Sequence, residues 1–209
     1  MNRRRFIQLS SFAALGSASQ RLAASATLLP TPRESAGPFY PVIEQKDKDF
    51  DLTQIAGQLG KAKGRVITIS GKVFDTDGQA LEDVSVEIWQ ANAAGRYHHP
   101  SDRSAVAVDE SFQGWAIVPT GSAGDFRFKT ILPGAYDIGG GRVRPPHIHF
   151  KLKKSGLREL TTQMYFPEQV LNETDILLMR KSPQEQQRMI AEVDTSEADG
   201  FYFPIVMQA

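Results

Sequence analysis

The sequence predicts a mainly β protein: a single-domain β-sandwich with an extended N-terminal arm and one short accessory helix near the C-terminus. From residue 65 onward, short apolar runs alternate with polar residues and are separated by turn signals, which is typical of strands packed in two sheets. Only one segment carries clear start signals of a helix. The 209 residues, of which 41% are hydrophobic, suffice for one compact core.

The predicted strands can be placed in chain order. The first follows the β-branched run 66–74 and ends at the turn 75–78, which reads Asp-Thr-Asp-Gly. In the second, Val84, Val86 and Ile88 alternate with polar residues, so we expect one face of that strand to be buried. Further strands are predicted at five short runs, namely 115–118, 126–130, 147–152, 161–166 and 201–206.

One helix is predicted near the C-terminus. Ser182 is a suitable N-cap, Pro183 fits the first helical position, and Glu185 stands three residues after the cap. This spacing is the signature of a capping box, in which the two side chains satisfy each other's backbone N–H groups. Ile190 and Val193 are expected to supply part of the apolar side of this helix.

The first 64 residues are expected to lie outside the main domain, which we place at 65–209. Residues 1–26 begin with the consecutive arginines Arg3 to Arg5, continue with a weakly apolar run and end in small residues. This pattern predicts a twin-arginine-type export signal and a periplasmic protein, with an ordinary secretory signal or an uncleaved anchor as the alternative. Residues 27–64 are rich in proline, glycine and charge and have no sustained period, which predicts an extended arm.

The composition excludes several functional classes. The formal net charge is zero at pH 7, so no basic surface is expected for nucleic acid or an anionic membrane. No apolar run after the signal is long enough for stable insertion into a membrane. The absence of cysteine excludes disulfides and thiolate metal sites. Any metal would therefore have nitrogen and oxygen ligands, which suit iron, copper or zinc.

Two histidines carry the strongest functional signal. His147 and His149 stand two residues apart in a predicted strand, so their side chains point the same way and could form half of a metal site. Tyr97 and Tyr136, each close to glycines, could supply the other half. Taken alone, a buried histidine is usually a hydrogen-bonded core residue and either tyrosine is more often structural. The functional interpretation therefore rests on the whole set and its sequence contexts.

Those contexts resemble a known family, the intradiol ring-cleavage dioxygenases, and among them the protocatechuate 3,4-dioxygenase branch most closely. The resemblance is carried by two long motifs, EIWQANAAGRY at residues 87–97 and RPPHIHF at residues 144–150. Shorter segments, TQMYF at 162–166 and ESAGP at 34–38, are also similar to the family. The resemblance covers roughly residues 30–206.

The resemblance implies a non-haem Fe(III) enzyme with a β-sandwich fold. Such an enzyme uses O₂ to cleave the ring of a catechol-type diol between its hydroxylated carbons and yields a muconate-type diacid. Six site residues are implied: the iron ligands Tyr97, Tyr136, His147 and His149, and the catalytic residues Arg144 and Gln163 beside the reacting carbons. A highly charged cation can remove the proton of a tyrosine, whose pKa is about 10 in water, so two tyrosines suit the ferric state.

The chain departs from the protocatechuate branch beside the expected substrate pocket. Ile138 stands two residues after Tyr136, where that branch typically has tryptophan, and the loop that follows is short and contains the glycines 139–141. The substrate therefore stays open among catechol derivatives. The glycines either form only a turn or give Tyr136 freedom to leave the metal. The branch often pairs unlike subunits; here the arm motif at 37–40 could cover the pocket in cis, or in trans within a homo-oligomer.

Two other functions fit parts of the sequence. A β-sandwich binding module for aromatics or a partner would keep the fold without catalysis, but it has no need of two tyrosines and two histidines in these contexts. A copper or zinc enzyme could use His147 and His149, although no aspartate or glutamate stands out as a further ligand. The iron dioxygenase is the leading hypothesis.

Overall fold

The structure, a computed structural model, describes residues 27–43, 45 and 47–209. The export signal predicted at 1–26 lies outside the described residues. In the described part the regular elements, in chain order, are β1 (Val66–Phe74), β2 (Ser85–Trp89), β3 (Trp115–Pro119), β4 (Asp125–Ile131), β5 (Tyr136–Asp137), β6 (Val143–Arg144), β7 (His147–Lys153), β8 (Leu160–Tyr165), 3-10 segments at Val170–Glu173 and Leu178–Arg180, α1 (Pro183–Gln187), β9 (Glu192–Asp194), β10 (Gly200–Tyr202) and β11 (Ile205–Val206). Across these ranges, no helix has the length and apolar character needed to span a membrane.

The strands form two main sheets and one small hairpin. In the first sheet, β1 pairs with β4 in antiparallel fashion and with β10 and β11 in parallel, and β9 extends the sheet beyond β10. The second sheet is antiparallel and has the order β3-β2-β7-β8. β5 and β6 form the hairpin. One hydrophobic core takes side chains from both main sheets, which confirms the predicted β-sandwich.

Strand β7 is buried on both faces, and this arrangement positions the functional site. Ile148, Phe150 and Leu152 belong to the core between the sheets. Because side chains alternate along a strand, His147 and His149 point to the opposite face, where each is only 2% exposed. Around these two histidines the outer face of the second sheet is therefore covered by other parts of the chain, whereas Lys153 at the far end of β7 is exposed.

The described residues of the segment 27–64 lie against the domain of the same chain. The backbone N–H of Thr31 donates to the Val206 carbonyl at 3.1 Å, and the N–H of Leu52 donates to the Lys129 carbonyl at 2.8 Å. Leu52 is fully buried in the main core. The Glu34 N–H donates to the Thr161 carbonyl of β8 at 2.8 Å, so backbone hydrogen bonds tie the segment to both sheets.

Helix α1 begins as the sequence predicts. The Glu185 N–H donates to Ser182 Oγ, and the Ser182 N–H donates to the Glu185 carboxylate, so the capping box is complete. The helix ends at Gln187 and is therefore only five residues long. A helix this short has little intrinsic stability, and its position depends on the flanking chain.

The structure corrects two expectations at the C-terminal end. Ile190 and Val193 do not lie on α1: the chain becomes extended after the helix, and Val193 lies in β9 with 59% of its surface exposed. The run 201–206 forms two strands rather than one, because Pro204 stands between β10 and β11 and has no N–H to donate to a neighbouring strand.

Candidate metal centre

Sheet register brings several site residues side by side on the outer face of the second sheet. His149 of β7 is paired with Trp89 of β2 on one side and with Gln163 of β8 on the other. His147 is paired with Tyr165, which also belongs to β8. The H-x-H spacing thus sets the direction of two imidazoles, and the register supplies their neighbours.

The two tyrosines reach this face from outside the sheet. Tyr97 lies in the loop after β2, and Tyr136 lies in β5, where it is paired with Arg144 of β6. The two segments approach closely at Gly95, which has a φ of 82°, and a Cβ at this position would lie 2.2 Å from the Ala135 carbonyl oxygen. Only glycine allows the two tyrosine-bearing segments to meet in this way.

The four predicted ligands converge. Tyr97 Oη lies 3.1 Å from His149 Nε2, and Tyr136 Oη lies 3.4 Å from His147 Nε2. The ring centroids of the two tyrosines are 5.3 Å apart, and those of the two histidines are 4.9 Å apart. Two phenol oxygens and two imidazole nitrogens therefore face one small volume.

The two imidazoles are held in different ways. Nδ1–H of His147 donates to the Pro145 carbonyl at 2.7 Å, which directs Nε2 toward the tyrosines. Nδ1 of His149 is buried and has no hydrogen-bond partner within the described residues. Its ring instead stacks on Trp89 with a centroid distance of 4.8 Å and an interplanar angle of 8°. Gly37 closes the other side, where a Cβ would lie 3.3 Å from His149 Cε1.

Burial keeps these groups neutral in the absence of a cation. Burial, aided by the charge of Arg144, lowers the pKa of His147 to about 3, and burial likewise holds the pKa of His149 well below its usual value. Burial raises the pKa of Tyr97 well above its usual value and also raises the pKa of Tyr136. Both imidazoles thus keep a lone pair for a metal, while the phenols need a strong cation to lose their protons.

Arg144 lies at the centre of a buried polar network. Its Nε donates to Asp175 Oδ2 at 2.5 Å, and its Nη2 donates to Gln163 Oε1 at 2.7 Å and to Tyr165 Oη at 2.8 Å. Burial would lower the pKa of Arg144, but interactions with Tyr165 and Asp175 outweigh it and raise that pKa. Asp175 also accepts from the Leu178 N–H at 2.8 Å. The guanidinium is thus fixed and permanently charged beside the four donors.

The N-terminal arm covers the site in cis. The ring of Phe39 lies 4.8 Å from that of Tyr97 and 6.1 Å from that of Tyr136. It also approaches His99, which is buried, whereas the neighbouring His98 is exposed. Neither of these histidines is among the converging donors. The arm motif found in the sequence therefore forms an aromatic cover over the tyrosines of its own chain.

The donor geometry fits a transition-metal ion. Bond lengths of about 2.0–2.2 Å, as for nitrogen and oxygen ligands of zinc, place neighbouring donors about 3.0–3.5 Å apart, and both phenol–imidazole distances lie in this range. Among the described residues, no group of three or more His, Cys, Asp or Glu side chains is arranged to hold a metal. A metal at this position would therefore need the tyrosines, which favours iron over a zinc site of histidines and carboxylates.

The structure brings together all six residues singled out from the sequence. It adds three that sequence reasoning missed: Trp89, Tyr165 and Asp175. Trp89 and Tyr165 lie within the quoted motifs, but only the strand register shows that they flank the histidines. Asp175 lies in an irregular loop after β8 and has no local pattern that could have revealed it.

Comparison with known proteins agrees with this geometry. The profile of a family described as Dioxygenase matches residues 36–208. The protocatechuate 3,4-dioxygenase beta chain of Burkholderia cepacia is 38% identical over 185 residues, which cover 84% of this chain and 78% of that one. The chain belongs to the intradiol ring-cleavage dioxygenase family. This intradiol dioxygenase is also 30% identical over 183 residues to the protocatechuate 3,4-dioxygenase alpha chain of Pseudomonas putida, covering 83% of this chain and 88% of the relative.

A solved structure supports the same assignment. The dioxygenase domain of a dioxygenase–carbohydrate-binding protein fusion from Streptomyces sp. SirexAA-E superposes with a TM-score of 0.64 at 28% identity. The match covers 86% of this chain and 99% of that domain. The protein is thus an enzyme of the intradiol ring-cleaving class, near the protocatechuate branch of the family.

Proposed function

We propose that this intradiol dioxygenase cleaves a catechol-type diol with O₂ between the two hydroxylated carbons and releases a muconate-type diacid. A non-haem ferric ion would be held by the four converging side chains, Tyr97, Tyr136, His147 and His149. When bound, such an ion supplies Lewis acidity and a template for the diol. The observation that carries the proposal is that each phenol oxygen lies within 3.1–3.4 Å of a different imidazole Nε2.

The surrounding residues have distinct parts in this proposal. Arg144 is fixed by its buried partners, so it can stabilise negative charge on the ring oxygens without reorganising. Tyr136, the less buried of the two tyrosines, is placed to accept a diol proton at Oη once it has ionised. Phe39 and Trp89 exclude water from the two faces of the site, which strengthens electrostatic interactions inside it.

Metal analysis and a visible absorption spectrum of the purified protein test the proposal. Tyrosine coordination to Fe(III) should give a red-brown colour, which should shift to longer wavelength when a catechol is added without oxygen. The colour should be absent from Tyr97→Phe. A wild-type protein that stays colourless after reconstitution with ferric ion would contradict the iron chemistry and favour a catechol-binding module without catalysis.

We propose further that residues 1–26 direct export to the periplasm through the twin-arginine route. The three consecutive arginines and the small residues before position 27 support this proposal. Replacing Arg4 and Arg5 together by lysine should leave the protein in the cytoplasmic fraction. Unchanged recovery from the periplasm would contradict this route.

We also propose a homo-oligomer, because two relatives from different organisms are named as a beta chain and an alpha chain of protocatechuate 3,4-dioxygenase, names that indicate an assembly of chains. Sedimentation of the purified protein should then give a mass that is a multiple of the single chain. A single-chain mass at working concentration would contradict it.

A further inference from the structure

The β5–β6 hairpin carries two side chains that the proposed reaction does not use. The pair Tyr136–Arg144 lies at its base, and the next pair outward is Asp137–Val143. Ile138 and Arg142 lie just beyond the ends of the two strands, where the Ile138 N–H donates to the Arg142 carbonyl at 2.9 Å. Both side chains line the same cavity as Arg144.

A cavity of about 290 Å³ lies between this hairpin and the segment 171–176. Its inner wall includes Arg144 and Asp175, so it adjoins the polar side of the metal centre. Most of the other lining side chains are apolar: Ile138, Val143, Leu171 and Ile176. The cavity therefore offers an apolar passage that starts beside Arg144 and has Arg142 along its edge.

The two arginines of this cavity differ in their charge balance. Arg144 is buried and paired with the carboxylate of Asp175. Arg142 is exposed, and within the described part of the chain it has no carboxylate partner; its Nε donates only to the Gly139 carbonyl at 3.4 Å. The nearby Asp137 carboxylate accepts from the Gly139 N–H at 2.6 Å. Arg142 is thus a positive charge available to a ligand.

We propose that this cavity receives the ring substituent of the substrate and that Arg142 selects a substituent made of an apolar chain ending in an acid. This inference rests on the proposed function, since the diol must be held at the metal centre. Arg144 is already paired with the Asp175 carboxylate, whereas Arg142 has no such partner among the described residues. Arg142 stands two residues before Arg144, just outside β6, about 7 Å away at the strand spacing of 3.4 Å per residue, so an acid that reaches it needs a short apolar spacer.

The test compares ligand binding by the iron-loaded protein without oxygen. Three diols with the same ring are used: 3-(3,4-dihydroxyphenyl)propanoate, its methyl ester and 3,4-dihydroxybenzoate. Dissociation constants are measured for the wild type, Arg142→Gln and Arg142→Lys. Arg158→Gln serves as the control, because Arg158 is another exposed arginine and does not line this cavity.

The wild type should bind the propanoate more tightly than either other diol. Arg142→Gln should weaken propanoate binding about fivefold, the effect of one partly exposed ion pair, and should leave the ester unchanged. Arg142→Lys should keep part of the preference, and Arg158→Gln should keep all of it. Equal weakening of acid and ester, or no weakening of the acid, would overturn the role of Arg142, whereas a wild type that binds iron but none of the diols would overturn the proposed function instead.

Discussion

The two histidines of β7 share one face of a strand, yet the two halves of the site around them are built from different interactions. On the His147 side, a backbone hydrogen bond and the buried network of Arg144, Gln163, Tyr165 and Asp175 hold the groups in place. On the His149 side, the ring is stacked on Trp89 and enclosed by Gly37, and its Nδ1 has no partner within the described residues.

This difference shows that the two histidines of one site can be oriented by two kinds of force. Hydrogen bonds are directional, so the polar half fixes the tautomer of His147 and the position of a buried charge. Stacking fixes the plane of the His149 ring but not its tautomer. We therefore expect the polar half to respond to changes of charge and the aromatic half to respond to changes of shape.

The largest effect is expected from Tyr97→Phe, because this substitution removes one of the four converging phenol and imidazole groups. Tyr97→Phe deletes only a hydroxyl from a buried ring, so the fold should persist while iron content and oxygen uptake fall by more than about 100-fold. Tyr202→Phe is the matched control, because Tyr202 lies in β10, outside the cluster of site residues. Comparable losses in the two variants would mean that Tyr97 acts through stability alone.

The polar half is broken most directly by Asp175→Asn. This change leaves the Arg144 charge buried without a carboxylate, which should cost about 3–5 kcal/mol in the free energy of unfolding and should slow turnover. Urea unfolding of the metal-free protein measures the loss. The double variant Arg144→Met with Asp175→Leu should recover stability, because no unpaired charge remains buried. It should not recover activity, because the guanidinium of Arg144 is lost. A double variant as unstable as Asp175→Asn would show that packing, rather than charge, is decisive here.

The aromatic half is tested by Trp89→Leu. Loss of the stacking surface should free the His149 ring and weaken ferric binding about 10–100-fold, as for other groups that orient metal ligands, while Trp89→Phe should retain most of the affinity. Competition with a chelator and the position of the visible band measure the effect. Phe150→Leu is the control, because Phe150 lies on the core face of the same strand; an equal loss of affinity there would argue against orientation by stacking.

The smallest effect is the pH dependence of the metal-free protein. Folding lowers the pKa of His147 from 6.5 to about 3, so below pH 6.5 the unfolded chain binds a proton that the folded chain does not. His147 alone should therefore contribute a fall in stability of about 1.4 kcal/mol per pH unit below pH 6.5 and no pH dependence above it, and His149, whose pKa burial also lowers, adds to this slope. The midpoint urea concentration is measured between pH 7 and about 5, where few carboxylates titrate. It should depend less steeply on pH in His147→Gln than in the wild type. An unchanged slope would mean that His147 does not titrate as described.

Some features of the site and of α1 can be predicted from a short stretch of sequence, because their geometry depends only on residues close together in the chain. A spacing of two in a strand fixes the common direction of His147 and His149, and the capping box of Ser182 and Glu185 marks where α1 begins. The extent of α1 is not local: Ile190 and Val193 suit a helix, but the following chain pairs with other strands. Tertiary pairing outweighs the weak preference of a five-residue helix.

The sequence by itself determined the fold class and the family resemblance and singled out four side chains that converge in the structure, because alternation and long motifs are written along the chain. Only the tertiary structure decided the surroundings of those donors. Asp175 contacts Arg144 although it lies 31 positions later in the chain, and Trp89 meets His149 through the register of β2 with β7. Such contacts follow from how sheets and loops pack in space, and short-range patterns carry no information about partners that far apart along the chain.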